Sequence, residues 1–433
     1  MHNLSQKPRI HLTSPLLPIL VGVVLIMQLI DPYRGWVILL VAMGGAWLLS
    51  TLWIRSLARH LRLKREMRFG WAQVGDQLEE RLTLDNNGWA PATWVEIVDH
   101  STLPGHTISQ VTGISGMNTT QWHTQGMCTR RGIFSLGPTG LRSADPFGIY
   151  TLEINDPATR TLMVMPPVVP LPAIEVAPGG RSGEGRPRQN APERTVSSSS
   201  VREYFPGDSM RWIHWRTTAR RNKPFVRIYD GTPAGDWRII LDLESSVQVG
   251  EGWDSTVEHS VILAASLADR GLRLRRAVGL AANGKNLVWM PPDDSPAHRW
   301  AILRALALAE PGGTSLGTLL RNMEKDIRSH TSIILITPSL SNDWIEALMP
   351  LMWRGVTPTV LLLDPASFGG QGDSRLMLGL LGGMGIAHYS ITKDLIDLPQ
   401  ARPGQSGRWE WRISGRGKAV LVRKPGDMSW RGL

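Results

Sequence analysis

Cysteine is almost absent: Cys128 is the single one in 433 residues. One thiol makes no intrachain disulfide and no thiolate zinc site, and it fits a reducing compartment. Its neighbours Met127 and Thr129 supply no base, so a strand-buried thiol is expected rather than a nucleophile. Also missing are the GxxxxGK[ST] phosphate loop, the HExxH zinc helix and the GxSxG nucleophile turn. Intrinsic ATP hydrolysis, zinc proteolysis and serine-hydrolase chemistry therefore lack their usual frameworks. Charged residues are 19% of the chain against 42% apolar, the balance of a globular protein rather than a disordered one.

Positive charge is in excess, at +10, but unevenly placed. Residues 1–68 hold nine Lys and Arg against Asp31 and Glu66, which accounts for most of the excess. The rest of the chain is close to neutral, and no nucleic-acid partner is expected. The same stretch contains two apolar runs, Pro15 to Ile30 and Gly35 to Ile54, parted by Asp31-Pro-Tyr-Arg34. Each approaches the length that crosses a hydrocarbon core of ~30 Å, so residues 1–68 are expected to form a membrane anchor of two transmembrane helices. Pro15 and Pro18 shorten the first run, which leaves an interfacial first segment as the alternative. Lys7 and Arg9 precede the pair, and Arg55, Arg59, Arg62, Lys64, Arg65 and Arg68 follow it. The positive-inside tendency then puts both ends, and the soluble part, in the cytoplasm.

Residues 69–176 read as a β-sandwich. Gln77 to Leu84 alternates with period two, Asp85-Asn-Asn-Gly88 is a turn, and Ala92 to Val98 alternates again. Residues 177–200 are rich in Pro, Gly, Ser and Arg and read as a flexible linker. Residues 201–236 hold the most motif-like run, V-R-E-Y-F-P-G-D-S-M-R-W-I-H-W-R from Val201 to Arg216, built around a Pro206-Gly207-Asp208 turn. Residues 237–400 alternate apolar strands with helical segments: strands at 237–242, 277–282, 332–337 and 357–364, helices near 254–270, 296–308, 316–327 and 342–353. That alternation predicts a parallel, doubly wound α/β sheet. Residues 401–433 read as a terminal hairpin, Arg408 to Ile413 against Lys418 to Arg423.

The run at Val201 resembles the signature of the family catalogued as domain of unknown function 58. Two further blocks resemble it in the same order: Arg130-Arg131-Gly132-Ile133-Phe134-Ser135-Leu136-Gly137-Pro138 and Asp145-Pro146-Phe147-Gly148. The resemblance covers most of residues 60–365. The last large segment is similar to the von Willebrand factor A fold, whose metal site uses D-x-S-x-S, a threonine and a later aspartate. Here Asp242, Ser246 and Thr314 match, Glu244 replaces the first serine, and Thr337-Pro-Ser339 offers no aspartate. The fold class expected is therefore α+β multidomain: a transmembrane helix pair, a β-sandwich, then an α/β doubly wound von Willebrand factor A-like domain.

Function has three readings. Kinship implies a scaffold or adaptor in a bacterial or archaeal cytoplasmic membrane, whose A-type domain binds partner proteins. The partners implied are a MoxR-type AAA+ ATPase and other A-domain or transglutaminase-like membrane proteins, in complex assembly or chaperone-like work. In that reading Arg202, Glu203, Tyr204, Gly207, Asp208, Arg211 and Trp215 clamp an interdomain junction, since Arg forks onto acids and stacks on indoles. The metal candidates Asp242, Ser246 and Thr314 would present hard oxygens to Mg²⁺, with a vestigial hydrogen-bonded cluster as the alternative. The second reading is a hydrolase using Glu203, Asp208 and His214. The third is an anionic-lipid or envelope-stress sensor reading charge through Arg55 to Arg68.

Overall fold

The computed structural model describes residues 7–171, 174–177, 198–204, 210, 213–229, 236–327, 331–395, 410–413, 419–423 and 431–432. The chain divides into two compact units, Met1–Pro167 with Arg402–Leu433, and Val168–Ala401.

The first unit opens with strand β1 (Lys7–Leu12), followed by helices α1 (Leu16–Ile30) and α2 (Arg34–His60). Ten strands follow: β2 (Leu61–Met67), β3 (Trp71–Gln73), β4 (Gln77–Asn86), β5 (Ala92–Asp99), β6 (Gln110–Ile114), β7 (Asn118–Met127), β8 (Gly132–Leu136), β9 (Thr139–Ala144), β10 (Tyr150–Asp156) and β11 (Arg160–Met165). A five-stranded sheet runs β1-β10-β9-β5-β6, and β3-β11-β8 form a smaller one. Alternating inward residues of the larger sheet, Val95, Ile97, Leu141, Leu152 and Ile154, meet Leu61, Leu63, Leu82 and Leu84 from β2 and β4 in one core. Ile54, Leu57 and Ala58 from the last turns of α2 complete it. Cys128, just after β7, is fully buried.

β1 was not foreseen. It pairs antiparallel with β10 from Lys7↔Asn155 to Leu12↔Tyr150, so the chain enters the sheet before it makes either helix. The stretch 1–68, expected to be a two-helix anchor, also holds strands: β1, β2 and the end of α2 belong to the β unit. One helix, α2, is long and apolar enough to cross a membrane; α1 has fifteen residues and falls in the shorter class. The two helices pack on one another across the short connection at Asp31. Their apolar side chains face outward, among them Ile19, Ile26, Leu29, Ile38, Val41 and Leu48.

A buried ion cluster sits inside the same unit. Period two in β2 places Arg65 inward with Leu61, Leu63 and Met67, and in β4 it places Glu80 inward with Leu78 and Leu82. The Arg65 guanidinium forks onto Glu80 through two bonds of 2.8 Å and reaches Asp99 at 2.9 Å. His106 Nε2 lies 2.7 Å from the same carboxylate. Burial alone would raise the pKa of Glu80, but His106 and Arg65 outweigh it and hold the carboxyl below its ordinary value. Arg65 is thus a core residue and not a membrane-flanking charge; Arg62 and Lys64 lie on the same strand.

The second unit carries β12 (Ser198–Glu203), α3 (Trp215–Arg221), β13 (Phe225–Tyr229), β14 (Trp237–Leu241), α4 (Thr256–Arg273), β15 (Val278–Asn283), β16 (Leu287–Asp293), α5 (Pro296–Ala307), α6 (Leu316–Met323), β17 (Ser332–Thr337), α7 (Asp343–Trp353), β18 (Thr357–Leu363), α8 (Ser374–Gly383) and β19 (Ala387–Ile391). Its six-stranded sheet is ordered β16-β15-β14-β17-β18-β19, parallel except for β16 at one edge. Every residue of β14 and β17 is buried. That is the pattern of strands covered on both faces. Leu319, Leu320, Trp344, Leu348 and Leu381 from α6, α7 and α8 pack with Ile240, Ile333 and Leu335. The antiparallel β16, and α8 with β19, are additions to the expected elements.

Near the start of this unit, Val169 N–H donates to Ser266 Oγ at 3.0 Å and Ala177 N–H to Thr359 Oγ1 at 2.9 Å. Residues 168–177, read from sequence as the end of the sandwich and the start of the linker, are therefore held by the α/β unit. Residues 198–200 belong to β12, while 178–197 lie outside the described residues. At the chain's end β20 (Glu410–Ile413) pairs with β21 (Ala419–Arg423), and β22 (Arg431–Gly432) adds to the β22-β2-β4-β7 sheet of the first unit.

Removing one partner of a buried pair leaves an uncompensated charge and costs ~3–5 kcal/mol. Glu80→Ala is expected to destabilise the first unit by that order in urea unfolding. Replacing Arg65, Glu80, Asp99 and His106 together by apolar residues, so that no charge of the cluster is left behind, should cost less than the single change.

Candidate functional site

Taken from β15 onward, the parallel strands run β15-β14-β17-β18-β19, so the chain winds one way from β14 to β15 and the other way from β14 to β17. Ligands of such sheets sit in the crevice outside the carboxyl ends of the strands at this switch point. The residues there are Asp242, directly after β14, and Thr337, the last residue of β17.

Asp242 is buried, and both its oxygens are engaged. Oδ2 accepts the Thr337 hydroxyl at 2.6 Å, and Oδ1 accepts the Glu244 N–H at 3.1 Å. Burial pushes its pKa up to about 6, the Thr337 and Glu244 donors pull down, and the Glu244 carboxylate pushes up again. Ser246 Oγ donates to Glu244 Oε1 at 2.6 Å. The loop after β14 is zipped onto the loop before α6: Gly312 N–H donates to Leu243 C=O and Ser245 N–H to Gly312 C=O, each at 2.8 Å. The approach needs glycine, because a Cβ on Gly312 would stand 2.2 Å from the backbone of Gly284. Thr314 follows two residues later, and Ser315 caps α6 by accepting Thr318 N–H.

The structure thus brings Asp242, Ser246 and the Thr314 loop to one end of the sheet. It also adds Thr337, which sequence reasoning set aside as the place where an aspartate was missing; the hydroxyl there holds the Asp242 carboxylate. Gly284 was missed too, and its only sequence signal is the Asn283-Gly284 pair that ends β15. The oxygens are of the hard kind that Mg²⁺ takes; those of Asp242 accept from Thr337 and the Glu244 amide, while Ser246 gives its proton to Glu244. Among the described residues no group of three or more His, Cys, Asp or Glu is placed to hold a metal ion.

The signature run forms a separate small assembly. β12 and β13 pair antiparallel, with Glu203↔Phe225 at one end, and α3 lies between them in sequence. His214 is the N-cap of α3, its Nδ1 accepting Thr217 N–H at 3.2 Å and lying 2.7 Å from Thr217 Oγ1. Glu203 pairs with Lys223 at 3.0 Å, and Tyr204 N–H donates to Pro224 C=O at 2.9 Å. Trp215 and Met210 are exposed, at 70% and 75%, and no residue of α3 is buried. Gly207, Asp208 and Arg211 lie outside the described residues, as does the Arg202 side chain. The bonds drawn for Glu203 and His214 hold local structure: an ion pair across the loop and a helix cap.

Residues 200–368 match the family model described as "Protein of unknown function DUF58". This segment is a DUF58 domain. It takes in the signature run, the switch point and the sheet as far as β18. The chain is 29% identical over 112 residues to the uncharacterized protein YeaD of Bacillus subtilis, covering 26% of each. It is 24% identical over 170 residues to an uncharacterized protein of Mycobacterium tuberculosis, covering 38% of this chain and 54% of that one. The chain therefore spans about a quarter and about half of the length of these relatives. Among solved structures it is similar to an aerotolerance-related membrane protein from Bacteroides fragilis, with 16% identity, a TM-score of 0.24 and coverage of 44% of this chain and 81% of that one. It is also similar to proximal thread matrix protein 1 of the mussel byssus, with 16% identity, a TM-score of 0.28 and coverage of 38% and 45%. Neither score carries weight for function.

A carboxyl that binds its proton more tightly when folded favours the folded state in acid and loses that contribution as pH rises through its folded value. For Asp242 the window runs from its ordinary value near 4 to about 6. Across it the fall amounts to roughly 3 kcal/mol at 1.36 kcal/mol per pH unit. Asp242→Asn is expected to flatten the stability profile of the DUF58 domain between pH 4 and 7. Thr337→Val, by removing a donor to the charged form, should steepen it. Chemical denaturation at stepped pH reads both.

Proposed function

We propose that this chain is a membrane-anchored scaffold or adaptor whose α/β unit, a von Willebrand factor A-like domain, binds partner proteins at the carboxyl edge of its sheet. The observation that carries the reading is the pairing of the loop after β14 with the loop before α6, which gathers Asp242, Glu244, Ser246 and Thr314 at the switch point. The DUF58 signature offers contact chemistry as well: Trp215 is exposed on a short helix with Arg216, Arg220 and Arg221, and Met210 ahead of that helix is exposed too. Aromatic and arginine side chains of that kind are enriched where proteins meet.

The partner proposed is a MoxR-type AAA+ ATPase, with other A-domain or transglutaminase-like membrane proteins as co-members of the assembly. A divalent ion such as Mg²⁺ would be held by Asp242, Ser246 and Thr314 once Asp242 turns from Thr337 to the ion, and would present a Lewis-acidic position to a partner carboxylate. The switch from bonded cluster to metal site is then part of docking. Hydrolysis by Glu203, Asp208 and His214 is the weaker reading, because Glu203 and His214 have structural partners.

Anchoring rests on α1 and α2, whose outward apolar faces suit a bilayer. β1 before the pair and β2 after it belong to one β unit, so a crossing pair returns to the side it left. The bacterial or archaeal cytoplasmic membrane, with the soluble units in the cytoplasm, is the location proposed. Arg55 and Arg59 remain as flanking charge on α2, whereas Arg65 is in the core; a lipid-charge sensor built on Arg55 to Arg68 loses part of its basis.

Two outcomes are expected. Affinity purification of the full chain from detergent-solubilised membranes should retain a AAA+ ATPase with Mg²⁺ present and lose it with chelator or with Asp242→Ala; retention in all three states would make the oxygen cluster structural only. A reporter that works only outside the cytoplasm, fused after Leu433, should be silent, and an active fusion overturns both the orientation and an ATPase partner.

A further inference from the structure

The Asp145-Pro-Phe-Gly148 block, which the function above leaves unused, and the Ile149-Tyr150 pair that follows it together touch both legs of the apolar hairpin. On the entering side, Ile149 C=O accepts Thr13 N–H at 2.8 Å and Ser14 N–H at 3.3 Å, just ahead of α1. On the returning side, Asp145 Oδ2 accepts the buried Ser50 hydroxyl of α2 at 2.5 Å, and Trp47 Nε1 donates to Tyr150 Oη at 2.8 Å. The turn is itself braced: Asp145 Oδ2 also accepts Phe147 N–H at 3.0 Å, and Oδ1 accepts Tyr150 N–H at 2.6 Å. Because one carboxylate oxygen holds both Ser50 and the Phe147 amide, Phe147 is fixed beside α2 at the height of Ser50.

That height is where the environment of α2 changes. No residue of α2 before Ser50 is buried, whereas from there on one face, Ser50, Ile54, Ser56, Leu57 and Ala58, is buried in the β unit and Leu52 and Arg55 stay on the open face. Beyond the clasp the hairpin consists of α1, fifteen residues, and α2 from Arg34 to Leu49. At 1.5 Å per residue the legs reach ~22 and ~24 Å, matched in length and short of a ~30 Å hydrocarbon core. A crossing hairpin of that reach leaves no gap between clasp and bilayer. The residues at the clasp suit the boundary: Phe147 is 59% exposed and Leu12, opposite Tyr150 on β1, is 51% exposed. Trp47 and Tyr150 add amphipathic rings of the kind enriched at that depth.

We infer that the Asp145 to Tyr150 turn is a clasp that seats the β unit directly on the bilayer, with Phe147 and Leu12 inserted among the lipids at the interface. This rests on the proposed membrane anchoring. The occupant of the exposed apolar edge is lipid, continuous with the lipid around α1 and α2.

The test places a nitroxide at Phe147→Cys in the full chain, reconstituted in phosphatidylethanolamine and phosphatidylglycerol liposomes; buried Cys128 stays as background. Thr159→Cys, in the turn after β10 and ~20 Å further along that strand at ~3.4 Å per residue, is the aqueous control. At position 147 collisions with a water-soluble nickel chelate are expected to fall several-fold below those at 159, while collisions with oxygen rise. Equal nickel access at both sites, in protein that resists an alkaline carbonate wash, overturns the clasp's seating and leaves the anchor standing. Release by carbonate overturns the anchor and the seating together. Asp145→Ala in the Phe147→Cys chain should restore nickel access, since the turn loses its hold on α2.

Discussion

The constraint on which the first unit depends is that an apolar hairpin is inserted between two strands of one β fold. β1 is hydrogen-bonded to β10 before the chain leaves, and α2 returns with Ile54, Leu57 and Ala58 already in the core and runs straight into β2. Entry and exit points are therefore fixed by strand pairing and core packing rather than by a tether. Backbone groups in hydrocarbon must be satisfied within the segment, which helices do, and the connection at Asp31 to Tyr33 is the only irregular part of the hairpin beyond the clasp. Rigid coupling of this kind makes the lengths of the two legs a structural quantity, and it gives the bonds among Ser50, Asp145, Trp47 and Tyr150 their significance.

Strand and helix periodicity carried much of the architecture. Runs buried on both faces, such as Ser332 to Thr337, were legible as parallel strands because every residue is apolar or small. Pro, Gly and capping residues marked the helices near 256, 296, 316 and 343 closely. What escaped was structure whose burial is decided elsewhere. β1, with Lys7, Arg9 and His11, reads as a polar leader, and only its partner β10 makes it a strand. β16 carries Pro291 and Pro292, residues that mask a strand in sequence; an edge strand tolerates proline because one side of it has no ladder to complete. β12 fits the extended segment that a Pro206-Gly207-Asp208 turn asks for ahead of it, but its pairing with β13 joins residues more than twenty positions apart and has no local signal.

Charge counting was where sequence reasoning misled most. Arg65 stood in a basic run and was counted as a membrane flank, yet it forks onto Glu80 in the core. The information was present in the alternation Leu61, Leu63, Arg65, Met67 and its counterpart Leu78, Glu80, Leu82, which put one charge of each sign on an inward face. Reading strand parity before summing charge separates the two roles. An ion pair buried between strands adds little net stability by itself, since desolvation offsets much of the attraction. It does penalise a one-residue register slip, which would leave Arg65 or Glu80 alone in the core.

At the candidate site the visible part was Asp242 and its spacing to Ser246, and the hidden part was Thr337. A motif search treats Thr337 as a missing ligand; the geometry makes it the residue that holds Asp242. Whether the cluster is a relic or a dormant site turns on one competition. Glu244 now takes the Ser246 hydroxyl, and its negative charge helps raise the pKa of Asp242. A cation would offset the Glu244 charge and favour the ionised Asp242 carboxylate, while Ser246 could meet it through its oxygen and keep its proton on Glu244. Glutamate at position 244, where the resembled motif has serine, takes the Ser246 proton and sets a second carboxylate beside Asp242. A loop built in this way would respond to ion binding through a change of partner at Asp242, at the end of the sheet where a docking partner would meet it.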